Sequence, residues 1–381
     1  MAKETHLVIK EFAQIREIDI RFGDLTVLVG AQGTGKSLAL QWMKTAIDGR
    51  QIVNALRDAG QNVKNPDVLV DLIFGVGMGS AWRDKSSVVF NGTNVRPSSI
   101  GKLGNGKERA FFIPAHRSML ISDGWAAPFQ KLTSDTPVVA RIFSQNLFDR
   151  FSARGGDKLF PLDRVLKRDY RELINAAVFH GGTVGLEEDQ QHAKRLKLTH
   201  GESHLPFMTW TAGQREFTPL LLGLYHLLPP RKYLKREDIE WVIVEEPEMG
   251  LHPHAVTVFL LLVLDLLWRG YRVVLSTHSP HVLTAMWMLR RLQEHNARWQ
   301  LVCSAFDVKA SGALRKVAEA SLTKDYRVYF LGFDDGVVKS TDISHLDPES
   351  ENDDEADWGG LTGFSSRFGD AVRTAVNESA E

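Results

Sequence analysis

A chain of 381 residues with 43% hydrophobic content can bury a large core, as one big α/β domain or two smaller ones. Its net charge of −1 excludes a global basic field for nucleic acid and leaves only a local basic face open. The single cysteine, Cys303, excludes a disulfide framework and a cysteine-built metal site, and its place in Leu301-Val302-Cys303 reads as a buried small hydrophobe.

The first residues, Met1 to His6, mix positive and negative charge without an apolar signal core. The longest apolar run, Val256 to Trp268, is too short to span a bilayer and contains Asp265. A soluble, cytoplasmic protein is therefore expected.

Leu7, Ile9 and Phe12, then Ile15, Ile18, Ile20 and Phe22, predict a strand pair leading into the apolar run Leu25–Val29. That run ends in Gly30-Ala31-Gln32-Gly33-Thr34-Gly35-Lys36-Ser37, a full G-x-x-x-x-G-K-S phosphate loop, and a helical pattern opens at Leu38 to Met43. Gly30, Gly33 and Gly35 let successive N–H groups converge on phosphate oxygens, with Thr34 between them, and the helix N-terminus adds partial positive charge there. Lys36 can reach the β- and γ-phosphates, and the Ser37 hydroxyl can ligate Mg²⁺. Strand, loop and helix together mean that the chain binds a nucleoside triphosphate.

Short strands are predicted at Ser87–Phe90 and Ala110–Pro114, separated by exposed loops over Asn91–Lys107. Ala126 to Ala177 turns helical and charged, with Arg164, Lys167, Arg168 and Arg171 on one basic stretch. Gly181-Gly182 breaks the helix, and Thr183–Leu186 and Arg195–Leu198 can pair as a polar hairpin. The basic stretch and Lys194-Arg195-Leu196-Lys197 can form a DNA-contacting face or plain solvated surface, and both readings stay open.

Leu220–Leu228 reads as an apolar helix stopped by Pro229-Pro230. Strands recur at Trp241–Val244, Arg272–Ser276 and Trp299–Ser304 with helical stretches between them, which predicts a sheet with a parallel core. Val328–Leu331 and Gly336–Lys339 form a hairpin around Asp334-Asp335-Gly336. Seven of the eleven residues from Asp347 to Asp357 are acidic, a composition for a solvated linker. Residues 361–381, with Phe368, Val372, Ala375 and Val376, can form a short helix that frays or docks on a partner.

Four features narrow the phosphate loop's chemistry. Trp241-Val242-Ile243-Val244-Glu245-Glu246 ends a strand in two carboxylates, suited to holding hydrated Mg²⁺ (Glu245) and polarising the attacking water (Glu246). Leu275-Ser276-Thr277-His278-Ser279-Pro280 puts a histidine at the carboxyl end of the next strand, where a side chain faces the ligand crevice of an open α/β sheet and can sense the γ-phosphate. Trp210-Thr211-Ala212-Gly213-Gln214 precedes a helix and reads either as an anion-receiving N-terminus or as an ordinary cap by Thr211. Pro247-Glu248-Met249-Gly250-Leu251-His252-Pro253 follows the acidic pair as a tight loop.

In this order the motifs resemble ABC-type ATPases of the SMC/RecF branch, especially the compact AAA-like group that includes the ATPase halves of OLD-family nucleases. The likeness covers residues 6 to 340. Gly30–Ser37 resembles Walker A, Glu245-Glu246 Walker B plus catalytic glutamate, His278 the switch histidine, Thr211–Gln214 the signature loop, and Glu248–His252 the D-loop.

The resemblance implies an α/β P-loop NTPase with a mixed, centrally parallel sheet, an N-terminal antiparallel β subdomain and a helical and hairpin insertion carrying the signature loop. It implies Mg²⁺-dependent ATP hydrolysis by Lys36, Glu246 and His278, with ATP held by Gly30, Gly33, Thr34, Gly35, Lys36, Ser37, Thr211, Gly213 and Gln214, and Mg²⁺ by Ser37 and Glu245. A homodimer or higher homo-oligomer closes over ATP. The family's work in DNA metabolism or anti-phage defence implies a separate effector, a nuclease or toxin-like protein. No nuclease core follows Ser304, no guanine-reading N-K-x-D string follows the loop, and no sustained heptads supply a coiled-coil arm.

The sequence departs from the family in three places. Glu245 replaces the usual aspartate, Thr211 the usual serine, and no Q-loop glutamine follows Phe111–Pro114, so that His116 or Arg117 would have to serve. A slow or non-catalytic ATP-dependent scaffold is the alternative. The expected organisation is an ATPase lobe over residues 1–125, an insertion over 126–205, a return to the same ATPase domain over 206–340, and an acidic linker and tail over 341–381.

Overall fold

The computed structural model describes residues 4–152, 158–162, 165–188, 193–228 and 235–379. Arg164 and Pro229-Pro230 lie outside the described residues. In chain order the strands are β1 (Thr5–Phe12), β2 (Ile15–Phe22), β3 (Leu25–Val29), β4 (Trp82–Phe90), β5 (Thr93–Asn94), β6 (Ala110–Ile113), β7 (Ile121–Ser122), β8 (Trp125–Ala126), β9 (Lys158–Phe160), β10 (Thr183–Glu188), β11 (Lys194–His200), β12 (Ser203–Pro206), β13 (Trp241–Glu245), β14 (Arg272–Thr277), β15 (Tyr326–Asp334) and β16 (Val337–Asp342). The α-helices are α1 (Lys36–Asp58), α2 (Pro66–Phe74), α3 (Val138–Ser152), α4 (Arg168–Ile174), α5 (Ala212–Leu227), α6 (Pro253–Trp268), α7 (Pro280–Glu294), α8 (Trp299–Ala305), α9 (Gly312–Ser321), α10 (Asp353–Ala356) and α11 (Gly363–Ser379).

Among the described residues, ten strands form one sheet in the order β5-β4-β1-β2-β16-β15-β3-β14-β13-β6. Its centre is parallel: β15 and β14 flank β3, and β13 lies between β14 and β6. Its N-terminal edge is antiparallel, with β1 paired to β2 and β4. This is the mixed, centrally parallel α/β P-loop NTPase architecture that the motifs predict.

The central strands read as unbroken apolar runs because both faces of the sheet are covered. Val242 and Val244 of β13 and Val273 and Leu275 of β14 join one core cluster with α5 and α6. Their alternating neighbours Trp241, Ile243 and Val274 join a second cluster with α1, α2 and the N-terminal strands. The period of two along each strand makes that division.

Two features seat α1, the helix that follows the phosphate loop. Trp42 packs in an aromatic group with Phe12, Phe74 and Trp82, at ring-centroid distances of 5.3, 4.6 and 5.4 Å. The helix also kinks at Asp48, which has φ −121° and ψ 22°. The cause is local chemistry, because the Asp48 carboxylate accepts the backbone N–H groups of Arg109 and Ala110 and the Lys44 ammonium, tying the helix to the start of β6.

The structure corrects several expectations. Trp299–Ser304 is helix α8, not a strand: Val302 and Cys303 are buried, Trp299 and Phe306 pack beside them at helical spacing, and Leu301 faces outward. Cys303 is buried as expected. Asn91–Lys107 is not all exposed loop, since it holds β5 and a 3₁₀ turn over Pro97–Lys102 whose Ile100 packs on Gly49 of α1. The hairpin at β10 and β11 pairs as predicted but is not polar throughout, since Val184, Leu186, Leu196 and Leu198 enter the core. The acidic segment is not wholly solvated either: α10 forms within it, and Trp358, just beyond it, donates its indole N–H to the Leu346 carbonyl at 3.1 Å.

The predicted C-terminal helix is α11, with Phe368, Val372 and Val376 exposed. Among the described residues no helix is long and apolar enough to cross a membrane.

Candidate functional site

The phosphate loop leaves β3 at Gly30, where φ is +149° and a Cβ would stand 2.2 Å from the Leu331 carbonyl oxygen of β15. Only glycine fits that approach. Gly33 and Gly35 also have positive φ, and Gly35 serves as the left-handed N-cap of α1. Thr34 closes the loop on itself by donating to the Ala31 carbonyl at 2.8 Å. The buried Lys36 ammonium donates to the carbonyls of Gly30 and Ala31 at 2.7 and 2.9 Å. Burial lowers its pKa to about 8, opposed by the nearby Glu246 and Glu248 carboxylates.

A cleft of about 550 Å³ opens over this loop, lined by Gly33, Lys36, Ser37, Glu246 and His278 among others. The carboxyl ends of β13 and β14 deliver the last two. Glu246 leaves β13 with φ +40°, a left-handed backbone conformation that a non-glycine residue seldom adopts. Its N–H donates to the Ser276 carbonyl at 3.0 Å. His278 Nε2 stands 3.3 Å from Glu246 Oε1. Glu248 fixes the His278 loop by accepting from the Thr277 hydroxyl at 2.8 Å and the His278 N–H at 2.7 Å.

Glu245 is 5% exposed. Burial pushes its carboxyl up to about 7, opposed by the Ala115 N–H, which donates to Oε2 at 3.2 Å, and by the nearby Ser37 hydroxyl. Its Oε1 is buried without a hydrogen-bond partner among the described residues. A hydroxyl beside an unsatisfied carboxylate oxygen is a donor set that fits a small hard divalent cation.

Thr211, Gly213 and Gln214 do not join this cleft within one chain. They line a separate one of about 250 Å³ with His180, Gly250 and His252. Thr211 and Gln214 form a capping box at the start of α5: the Gln214 N–H donates to Thr211 Oγ1 at 3.3 Å and the Thr211 N–H to Gln214 Oε1 at 3.2 Å.

The structure separates the two stand-ins for the missing Q-loop glutamine. His116 lines the phosphate-loop cleft. Arg117 does not face it, being 0% exposed with its guanidinium turned onto main-chain carbonyls. Sequence reasoning missed Gln14, which lines the cleft and donates to the Gly33 carbonyl at 2.6 Å from the turn between β1 and β2. No motif marks it, because its role depends on strand pairing. Among the basic residues of the possible DNA face, Lys167 bonds the buried Asp265 at 3.1 Å, whereas Arg168 and Lys197 stay at the surface in pairs with Glu172 and Glu187.

Residues 205–284 match the family model described as "AAA domain, putative AbiEii toxin, Type IV TA system". That range holds Thr211–Gln214, the Glu245-Glu246 strand end and the His278 loop, while the phosphate loop lies outside it and adds separate support. The chain has a P-loop NTPase fold, and residues 205–284 are similar to this AAA-type family. No curated protein matches it.

Solved structures of similar fold include the SmcHead bound to the C-winged helix domain of ScpA, with 12% identity, a TM-score of 0.46, and coverage of 88% of this chain and 96% of that one. The SMC head domain from Thermotoga maritima has 14% identity and a TM-score of 0.37, covering 89% and 98%. The Smc head domain with an extended coiled coil bound to the C-terminal domain of ScpA, derived from Pyrococcus furiosus, has 11% identity and a TM-score of 0.43, covering 90% and 96%.

Proposed function

We propose that the chain binds ATP in the phosphate-loop cleft and hydrolyses it, and that two copies close so that Thr211, Gly213 and Gln214 of one meet the triphosphate held by the other. The observation that carries this reading is that Lys36, Ser37, Glu246 and His278 line one cleft while the signature residues line another. A helix N-terminus in a cleft of its own acts on a phosphate only if one arrives from outside.

In this reading Lys36 exchanges the Gly30 and Ala31 carbonyls for β- and γ-phosphate oxygens, and the loop N–H groups hold the rest of the chain of phosphates. Ser37 and Glu245 hold Mg²⁺, which when bound neutralises charge on the phosphates. Glu246 polarises the attacking water, and His278 beside it contacts the γ-phosphate and registers its presence. The division into an ATPase lobe (1–125), insertion (126–205), returning ATPase segment (206–340) and tail (341–381) belongs to the same proposal.

The biological setting we propose is DNA metabolism or anti-phage defence, through control of a separately encoded effector such as a nuclease, in the cytoplasm. The matched family's description, with its toxin of a type IV toxin–antitoxin system, supports a defence-type role. DNA is a candidate partner through surface basic residues such as Arg168 and Lys197, whose ion pairs are exposed.

One observation favours a second reading, a slow scaffold that uses ATP to assemble and hold a partner. Glu245 stands where the family carries an aspartate, and its side chain, one methylene longer, holds the carboxylate at a different reach from the Ser37 hydroxyl, which suits slow turnover. Phosphate release by wild type and Glu246→Gln separates the two readings. Equal rates would remove the hydrolytic assignment, and an E246Q protein that stays monomeric with Mg²⁺ and ATP would remove the dimer.

A further inference from the structure

Arg117 lies between the acidic turn and α5, hydrogen-bonded to the first and within ion-pair distance of the second. Its Nη1 donates to the carbonyls of Pro114 and Glu245 at 3.2 and 3.0 Å, and its Nη2 to those of Glu246 and Pro247 at 3.4 and 3.5 Å. The guanidinium fork is suited to this, because its donors lie in one plane at fixed angles. The peptide units on both sides of the Glu246 Cα are thereby held: its carbonyl by Arg117, its N–H by the Ser276 carbonyl. That clamp accounts for a left-handed glutamate at this turn.

The charge of Arg117 is balanced from α5. Its Nε stands 3.8 Å from Glu216 Oε2, both groups lie deep in the fold, and the other Glu216 oxygen accepts the Ser118 hydroxyl. Glu216 sits one turn inside the helix whose first residues are Ala212, Gly213 and Gln214. A second contact runs alongside: a Cβ at Gly213 would meet the Gly250 carbonyl oxygen at 3.2 Å, and one at Gly250 would meet Glu216 Cγ at 3.4 Å. The loop after the acidic turn therefore packs directly on the first turn of α5.

We infer that Arg117 is a positioning residue that couples the aim of Glu246 to the placement of the α5 N-terminus, so that the two ends of one chain's chemistry move together. This rests on the reading of Glu246 as the water-polarising group and of α5 as the phosphate-facing helix. Hydrolysis at one chain's own cleft and presentation of its signature loop to a second copy are then linked inside each protomer.

The test compares wild type, Arg117→Lys, Glu216→Gln and Glu246→Gln. R117K keeps the charge but loses the fork, and E216Q keeps the shape but loses the balancing charge. Both are expected to bind a fluorescent ATP analogue within about twofold of wild type, at unchanged KM, while kcat falls about 100-fold in R117K and about tenfold in E216Q. Amide hydrogen exchange with Mg²⁺ and a non-hydrolysable ATP analogue reads the coupling without turnover. In wild type, residues 212–216 and 246–249 are expected to slow together with the phosphate loop, and in R117K the phosphate loop alone.

The inference is overturned if residues 212–216 respond to the analogue in R117K as in wild type, or if R117K keeps wild-type kcat. If E246Q hydrolyses ATP normally, the assignment of Glu246 fails instead, and the exchange result still decides the role of Arg117. Should R117K not fold, E216Q carries both readouts.

Discussion

His278 Nε2 and Glu246 Oε1 stand 3.3 Å apart at the ends of neighbouring parallel strands, with side chains 29% and 30% exposed. Neither residue is near the other in sequence. The register of β13 against β14, which pairs Glu245 with Ser276, brings their loops to one rim. A histidine on the carboxylate of the water-polarising candidate ties that group's orientation to whatever fills the cleft.

Replacing the Glu246 carboxylate by an amide keeps the shape and removes the base. We predict that Glu246→Gln lowers kcat by about 10²–10⁴-fold and leaves nucleotide affinity within a few-fold of wild type. Steady-state phosphate release and equilibrium nucleotide binding measure the two arms. A loss of affinity with an unchanged kcat would place Glu246 in binding.

Two glycines of the phosphate loop separate strain from collision. Both have positive φ, but a Cβ at Gly33 meets nothing within 4 Å, whereas one at Gly30 meets the Leu331 carbonyl oxygen at 2.2 Å. Gly33→Ala is expected to cost about 1–2 kcal/mol, and Gly30→Ala about 3 kcal/mol or more, since β3 must move from β15. Thermal denaturation of the two variants checks the order, and equal losses would contradict it.

The Lys44–Asp48 pair is sealed, with both side chains 0% exposed and Nζ 2.8 Å from Oδ2. Lys44→Met leaves the Asp48 and Glu108 carboxylates without their cation and is predicted to cost about 3–5 kcal/mol. Because Asp48 holds the kink in α1, freeing it from the Lys44 ammonium is also expected to loosen the phosphate loop at the other end of that helix. Denaturant titration gives the energy, and a loss below about 1 kcal/mol would show that the backbone N–H groups on Asp48 suffice alone.

His226 supplies a pH prediction. Burial, then the charges of Arg236 and Arg150, lower its pKa to about 3, and its ring stacks on Phe111 at 4.6 Å. The native state keeps the imidazole neutral, while the unfolded chain takes up a proton near its ordinary value of about 6.5. The unfolded state therefore binds more protons below that value, and stability falls as pH drops from about 6.5 toward 3, by up to about 1.4 kcal/mol per pH unit. The Tm of wild type should fall more steeply between pH 7 and 5 than that of His226→Gln, and parallel curves would refute the assignment.

The phosphate loop, the strands around it and the acidic pair were legible because each is local. A glycine pattern, an apolar run and two adjacent carboxylates carry their chemistry in neighbouring residues. Short apolar runs were less secure. Trp299–Ser304 contains strand-like residues, yet the packing of Val302 and Cys303 beside Trp299 and Phe306 made it helical. For the missing Q-loop glutamine the sequence leaves His116 or Arg117 open, and only the fold separates them, turning Arg117 inward onto the Glu245 and Glu246 carbonyls.

By itself, the sequence determined that a triphosphate loop, a strand ending in two glutamates and a strand ending in a histidine exist, in that order, within one α/β chain. The tertiary structure alone decided their company. Strand order put Glu246 and His278 over Lys36, strand pairing put Gln14 against Gly33, and the packing of α5 gave Thr211–Gln214 a separate cleft. The reason is physical: local propensity and spacing are written along the chain, whereas contacts across the sheet arise only when both of its faces are buried at once.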